Sequence, residues 1–186
     1  FNKQAVFYPE FIKDLSENFT LEFDVAINND WAGSTFVLNI ANFKNPNDYQ
    51  YYYHYVSWQG THAVHLELMP GLDNRSKSSS RILAAKDGNY TVNNSIEFNT
   101  WNSGINNFAH VGIWRQKTRI RVYVNGEKIW DLPKAFDSES KYNAITFAAD
   151  DSYKEEDYYL LGNIRLAIGA PDTRNKLITE GKFSAS

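Results

Sequence analysis

AHVGIWRQKTRIRVYVNGEKIWDL, residues 109–132, is the stretch that decides the fold. In its middle Ile120, Val122 and Val124 alternate with Arg119, Arg121 and Tyr123. That is the period of two shown by a strand with one buried face. Asn125-Gly126 follows, a pair that accepts the positive φ angles of a type I′ hairpin turn. Upstream, Val111 and Ile113 alternate with His110, Gly112 and Trp114, and either set suits the inner side. A second, less specific turn falls at Gln116-Lys117. The stretch predicts three antiparallel strands joined by two tight turns.

The same period recurs on both sides of it. Phe19, Leu21, Phe23, Val25 and Ile27 alternate with Thr20, Glu22, Asp24 and Ala26, and Asn28-Asn29-Asp30 breaks the run. Residues 34–42 are apolar enough for a central strand, and 63–69 form another, stopped by Pro70-Gly71. Residues 5–8 read as an edge strand ended by Pro9 and residues 11–15 as a helical turn. Residues 49–58 carry Tyr49, Tyr51, Tyr53 and Tyr55 on one side, with Gln50, Tyr52, His54, Val56 and Trp58 on the other, so neither face is plainly the core side. Residues 73–80 read as a loop, 81–86 as a short strand, and 90–104 as an irregular strand with a long loop around Trp101. A connection with a helical turn at 134–136 leads to a strand at 143–149, an acidic loop at 150–157 and a last strand at 158–168. About a dozen short strands with almost no helix predict an all-β fold, a two-sheet antiparallel sandwich.

Composition narrows the function. The 186 residues suffice for one domain with a sizeable core. A net charge of −3 gives no reason to expect nucleic acid, which favours a basic face. With no cysteine, disulfide scaffolds, thiol catalysis and cysteine-based zinc sites are excluded. No apolar run approaches the roughly 20 residues of a spanning helix, so no membrane insertion is expected. Aromatics make up 16 % of the chain, which suits strands and sugar-binding surfaces alike.

His110-Val111, Trp114-Arg115 and Val122-Tyr123-Val124-Asn125-Gly126 resemble the central hairpin of the concanavalin A-like lectin and glucanase (laminin-G-like) superfamily. The resemblance covers residues 19–168 and implies a jelly roll with one concave and one convex sheet, with the domain at residues 1–170. The tail PDTRNKLITEGKF, residues 171–183, is similar to the connector that leads into an OmpA-like domain in some bacterial cell-envelope proteins. That likeness implies a C-terminal connector at 171–186 and a place in the periplasm or at the outer membrane.

Retaining glycosidases need two carboxylates about 5–5.5 Å apart. The glucanases of this superfamily carry theirs on one strand as Glu-x-Asp-x-x-Glu. Glu22-Phe23-Asp24 matches the first two positions, but the third falls on Ile27, or on Asn28 if a bulge adds a residue. Glu22 and Asp24 therefore read as solvated polar-face residues, and no enzyme is expected. A hydrolase or lyase built on another pair, such as Glu67 with Asp24, is the alternative. His62 and His65 are three apart, on opposite faces of a strand, which disfavours zinc. Asp150, Asp151, Glu155 and Asp157 lie in the densest acidic cluster, and relatives of the fold often bind calcium, which takes several oxygen ligands. The spacing matches no fixed calcium loop, so a solvated loop is the expected reading, with no cofactor required and calcium as the alternative. For sugar stacking the candidates are Trp31, Tyr51, Tyr53, Tyr55, Trp58 and Trp101. The 49–58 strand is the favoured ligand face, because it cannot bury every tyrosine hydroxyl cheaply. The expected function is a non-catalytic binding module whose partner is a carbohydrate or a cell-envelope protein surface. A structural spacer with no ligand is the third reading.

Overall fold

The computed structural model describes residues 6–7, 9, 15–28, 35–42, 62–72, 77–87, 89–150, 158–169 and 176–180. Twelve strands and no helix occur among them: β1 Val6–Phe7, β2 Asn18–Asn28, β3 Thr35–Ala41, β4 Ala63–Met69, β5 Ser78–Lys86, β6 Asn89–Phe98, β7 Ala109–Gln116, β8 Arg119–Val124, β9 Glu127–Leu132, β10 Ala144–Asp150, β11 Tyr158–Ile168 and β12 Lys176–Glu180. They form two antiparallel sheets, ordered β1-β10-β3-β4-β5-β6 and β12-β11-β2-β7-β8-β9. This is the expected two-sheet sandwich.

The meander β7-β8-β9 forms as the sequence requires. Asn125 and Gly126 adopt φ of 48° and 82°, the left-handed values of the primed turn. The Asn125 side chain adds two bonds: Oδ1 accepts from the His110 amide at 2.8 Å and Nδ2 donates to the Thr100 carbonyl at 2.6 Å. The first turn lies one residue later than expected, on Lys117-Thr118, with Lys117 at φ 53°. That sets the register Gly112↔Tyr123 and Trp114↔Arg121.

Between the sheets, Phe19, Leu21, Phe23, Val25 and Ile27 of β2 face Phe36, Leu38 and Ile40 of β3 and Phe147 of β10, all buried. The rings of Phe23, Phe36 and Phe147 meet with centroids 5.2–6.0 Å apart. Such aromatic pairs contribute about 0.5–1.5 kcal/mol each beyond the burial of their area. One polar thread crosses this apolar layer. Trp130 Nε1 of β9 donates to Ser80 Oγ of β5 at 2.8 Å, and that hydroxyl donates to the Glu67 carbonyl at 2.8 Å.

Two further expectations change, the loop to residue 80 and the helical turn at 134–136. The stretch read as a loop to residue 80 enters β5 at Ser78, because Ser78 and Ser80 are buried with their hydroxyls satisfied; Ser78 donates to the Trp101 carbonyl. The expected irregular strand is β6, residues 89–98 at the edge of its sheet, whose register against β5 shifts between Ala84 and Ala85. No helical turn occurs at 134–136, where the amides of Ala135 and Phe136 both donate to the Thr118 carbonyl. Near the C-terminus, β12 hydrogen-bonds to β11 as an edge strand. The tyrosine strand at 49–58 lies outside the described residues, as do residues 11–14; Leu15 bridges Tyr142.

Candidate functional site on the second sheet

Strand alternation gives each sheet an outer face. On the first sheet, Val37, Asn39, Ala41, Ala63, His65, Leu83, Thr146 and Ala148 turn away from the core, yet all are buried. Their polar members form one chain. Asn39 Nδ2 donates to Thr146 Oγ1 at 3.2 Å, His65 Nδ1 meets Asn39 Oδ1 at 2.6 Å, and His65 Nε2 meets Glu67 Oε1 at 3.1 Å. Both ring nitrogens of His65 are engaged, and Arg81, opposite Glu67 in register, donates instead to Asn93 Oδ1.

The second sheet is different. Thr20, Glu22 and Asp24 of β2, His110, Gly112 and Trp114 of β7, and Arg119, Arg121 and Tyr123 of β8 share its outer face, and none of them is buried. Glu22, His110, Gly112, Trp114, Tyr123 and Gly126 line a hollow of about 270 Å³. Its floor is Gly112: a Cβ there would meet only Tyr123 Cβ, at 4.0 Å. Trp114 and Tyr123 stand as diagonal neighbours across β7 and β8, with ring centroids 5.7 Å apart and planes at 52°.

One end of the hollow is held rigidly. Asp24 Oδ1 lies 2.8 Å from His110 Nδ1, and Asn163 Nδ2 donates to Asp24 Oδ2 at 2.6 Å. Asn163 reaches it from a bulge in β11, where the register shifts between Gly162 and Arg165 and Asn163 takes φ 51°. At the other end the basic side chains serve Asp131, which has Arg119 Nε at 2.6 Å and Lys128 Nζ at 3.1 Å. The hydrogen bond from Arg119 is the main reason that the Asp131 carboxyl sits well below the usual carboxylate range. Glu22, in contrast, makes no hydrogen bond or ion pair among the described residues.

Arg115 belongs to neither face. It points into the core end of β7 and is only 3 % exposed, with its guanidinium 4.4 Å from the Phe136 ring centre and 4.7 Å from that of Tyr142. Its Nε donates to the Lys117 carbonyl and its Nη1 to that of Ser16, and burial disfavours its charged form. It fastens the 115–118 turn to the loops at 15–17 and 136–142.

Of the stacking candidates, Trp31, Tyr51, Tyr53, Tyr55 and Trp58 lie outside the described residues. Trp101 is corrected: it is 3 % exposed, and its Nε1 donates to the Asn107 carbonyl at 2.9 Å, so its ring offers no face to a ligand. Asp150 closes β10 opposite Thr35, whereas Asp151, Glu155 and Asp157 lie outside the described residues. Among the described residues no three His, Asp or Glu side chains gather to hold a metal. Glu67 and Asp24 cannot flank one glycosidic bond. Leu66 and Leu68 face the core on β4, as Phe23 and Val25 do on β2, which puts the two carboxylates on opposite outer surfaces. Asp24 is held by two partners rather than simply solvated. Reading by residue type overlooked Gly112, Trp114 and Tyr123; their signal was the alternation His110, Gly112, Trp114 against Arg121, Tyr123.

No family model and no curated protein matches the sequence. Solved structures do share its shape. Sheep galectin-11 in complex with glycerol superposes with a TM-score of 0.55 at 8 % identity, over 87 % of this chain and 96 % of that one. Congerin II with lactose and MES gives 0.53 at 12 % identity, over 87 % and 98 %. A mutant alginate lyase in complex with alginate trisaccharide gives 0.52 at 12 % identity, over 82 % and 70 %. The fold is the concanavalin A-like jelly roll. At such identities the likeness concerns this jelly roll alone, and the chemistry of its faces is this chain's own.

Proposed function

We propose that this jelly roll is a carbohydrate-binding module that holds its ligand, without a covalent step, on the outer face of the second sheet. The observation that carries this reading is the open Trp114–Tyr123 pair beside a hollow walled by Glu22 and His110. A pyranose has an apolar C–H face for an aromatic ring and hydroxyls for a carboxylate and an imidazole at its edge. About 270 Å³ lies just under the common range for small-ligand pockets, which suits one or two sugar units. The lactose-liganded congerin II and the alginate lyase mutant in complex with alginate trisaccharide, both fold neighbours, support the ligand class. The tail at 171–183 supports a setting in the bacterial cell envelope, in the periplasm or at the outer membrane, ahead of an OmpA-like domain. A protein surface of that envelope is the other partner for the same aromatic face.

A glycan array followed by calorimetry tests the module. Retention of a glycan by the wild-type chain, weakened at least tenfold in Trp114→Ala, is the expected result. Silence across the array favours the spacer reading. Release of reducing or unsaturated ends from a polysaccharide panel would move the protein among the hydrolases or lyases. Fractionation of cells carrying the natural gene tests the compartment.

A further inference from the structure

We infer that the sugar taken by the Trp114–Tyr123 hollow carries a free amine, a hexosamine unit in its ammonium form. This rests on the hollow being a sugar site and adds the charge of the ligand. Among the side chains lining it, Glu22 and the His110 imidazole are the ones that can carry charge. His110 is committed through Nδ1 to Asp24. The Glu22 carboxylate has no partner among the described residues. The nearby cations are occupied: Arg119 and Lys128 bind Asp131, and Arg121 Nη1 donates to Gln116 Oε1 at 2.6 Å. Arg165 is in register with Glu22 on β11 but does not line the hollow.

What remains is a concave patch with one unneutralised carboxylate and the negative faces of two aromatic rings. A cation placed over such rings is attracted by their quadrupoles, and a carboxylate at the edge adds a charge-assisted hydrogen bond. An ammonium on a pyranose ring satisfies both while the ring lies against Trp114. A uronate would bring a second negative charge next to Glu22, and a neutral sugar would leave that carboxylate with hydroxyl donors only. The two contributions together are worth about tenfold in affinity at a half-exposed site, and less as salt rises.

The test is titration calorimetry of the chain with three oligosaccharides of equal length: chitosan, chitin and cellulose fragments, at a pH where the chitosan amines are protonated. Chitosan is expected to bind about tenfold more tightly than the other two. Glu22→Gln should cut that preference to the small part contributed by the rings, about twofold, with a lesser loss for the neutral oligomers, whose hydroxyls the amide still meets. Trp114→Ala should weaken all three. Equal affinities, or a preference undiminished by Glu22→Gln, overturns the inference and leaves the module standing. Binding of none of the three, with another glycan retained on the array, does the same. Failure across the whole array removes both.

Discussion

The two outer faces of the sandwich are made by the same strand alternation and are put to opposite use. On the first sheet the outward Asn39, His65 and Thr146 are as buried as core residues, and each is held by the next. On the second sheet the outward Glu22, Gly112, Trp114 and Tyr123 stay open around a hollow. Polar chemistry that is buried and mutually satisfied contributes to stability and uniqueness of the fold. Polar chemistry left unpaired beside half-buried rings costs little in water and is available to a partner. The contrast separates the residues whose loss should unfold the chain from those whose loss should only empty it.

Replacing the centre of the buried chain should have the largest effect. His65→Leu takes one hydrogen-bond partner each from Asn39 and the Glu67 carboxylate, and should cost about 2–4 kcal/mol in urea unfolding, with glycan affinity of the folded fraction unchanged. On the open face, Trp114→Ala should lose about 1.4 kcal/mol or more of binding free energy by calorimetry while unfolding shifts by less than about 1 kcal/mol. An equal stability loss from both substitutions would erase the distinction between the faces. Gly112→Val sharpens it further. The site has room for a Cβ, and its φ is not in the left-handed region, so the β-branched residue should stabilise the strand by about 0.5–1 kcal/mol and yet fill the hollow and weaken binding. The smallest effect should come from Asp137, which lies on neither face. The hydrogen bond from Lys86, with that from Ser140, lowers its carboxyl from 3.8 to about 2. A depressed carboxyl contributes stability that is fully present above its ordinary value and lost as pH falls through the folded one. Unfolding of Asp137→Asn should therefore be flatter than wild type between pH 3.8 and about 2, assigning that part of the acid limb to this pair.

The legible parts of the sequence were those where one face is buried and the other is wet. β2 and the β7-β8-β9 meander have that pattern, and the Asn125-Gly126 corner could be placed to the residue. β6 was obscure because an edge strand exposed along most of its length carries no hydrophobic period. The start of β5 was obscure because Ser78 and Ser80 look like loop residues until the Trp101 carbonyl is found for the first, and the Glu67 carbonyl on the next strand and Trp130 across the sandwich for the second. The site was harder. A turn at Gln116-Lys117 would have set Tyr123 against His110; the turn at Lys117-Thr118 sets it against Gly112, and only that register makes a hollow. Asn163, reaching Asp24 from a bulge 139 residues away, had no local signal.

The pairing of β2 with β11 joins Phe19 to Ile168 and Asn28 to Tyr158, almost the full span of the described chain. A polypeptide leaving the ribosome makes β2 early and must wait for β11. Until then one margin of β2 has its amides and carbonyls unsatisfied and open to the strands of other nascent molecules. Contacts this distant in sequence place folding in the slow, millisecond-to-second class. Production of the protein is thus expected to depend more on how crowded its synthesis is than on how stable the finished sandwich becomes.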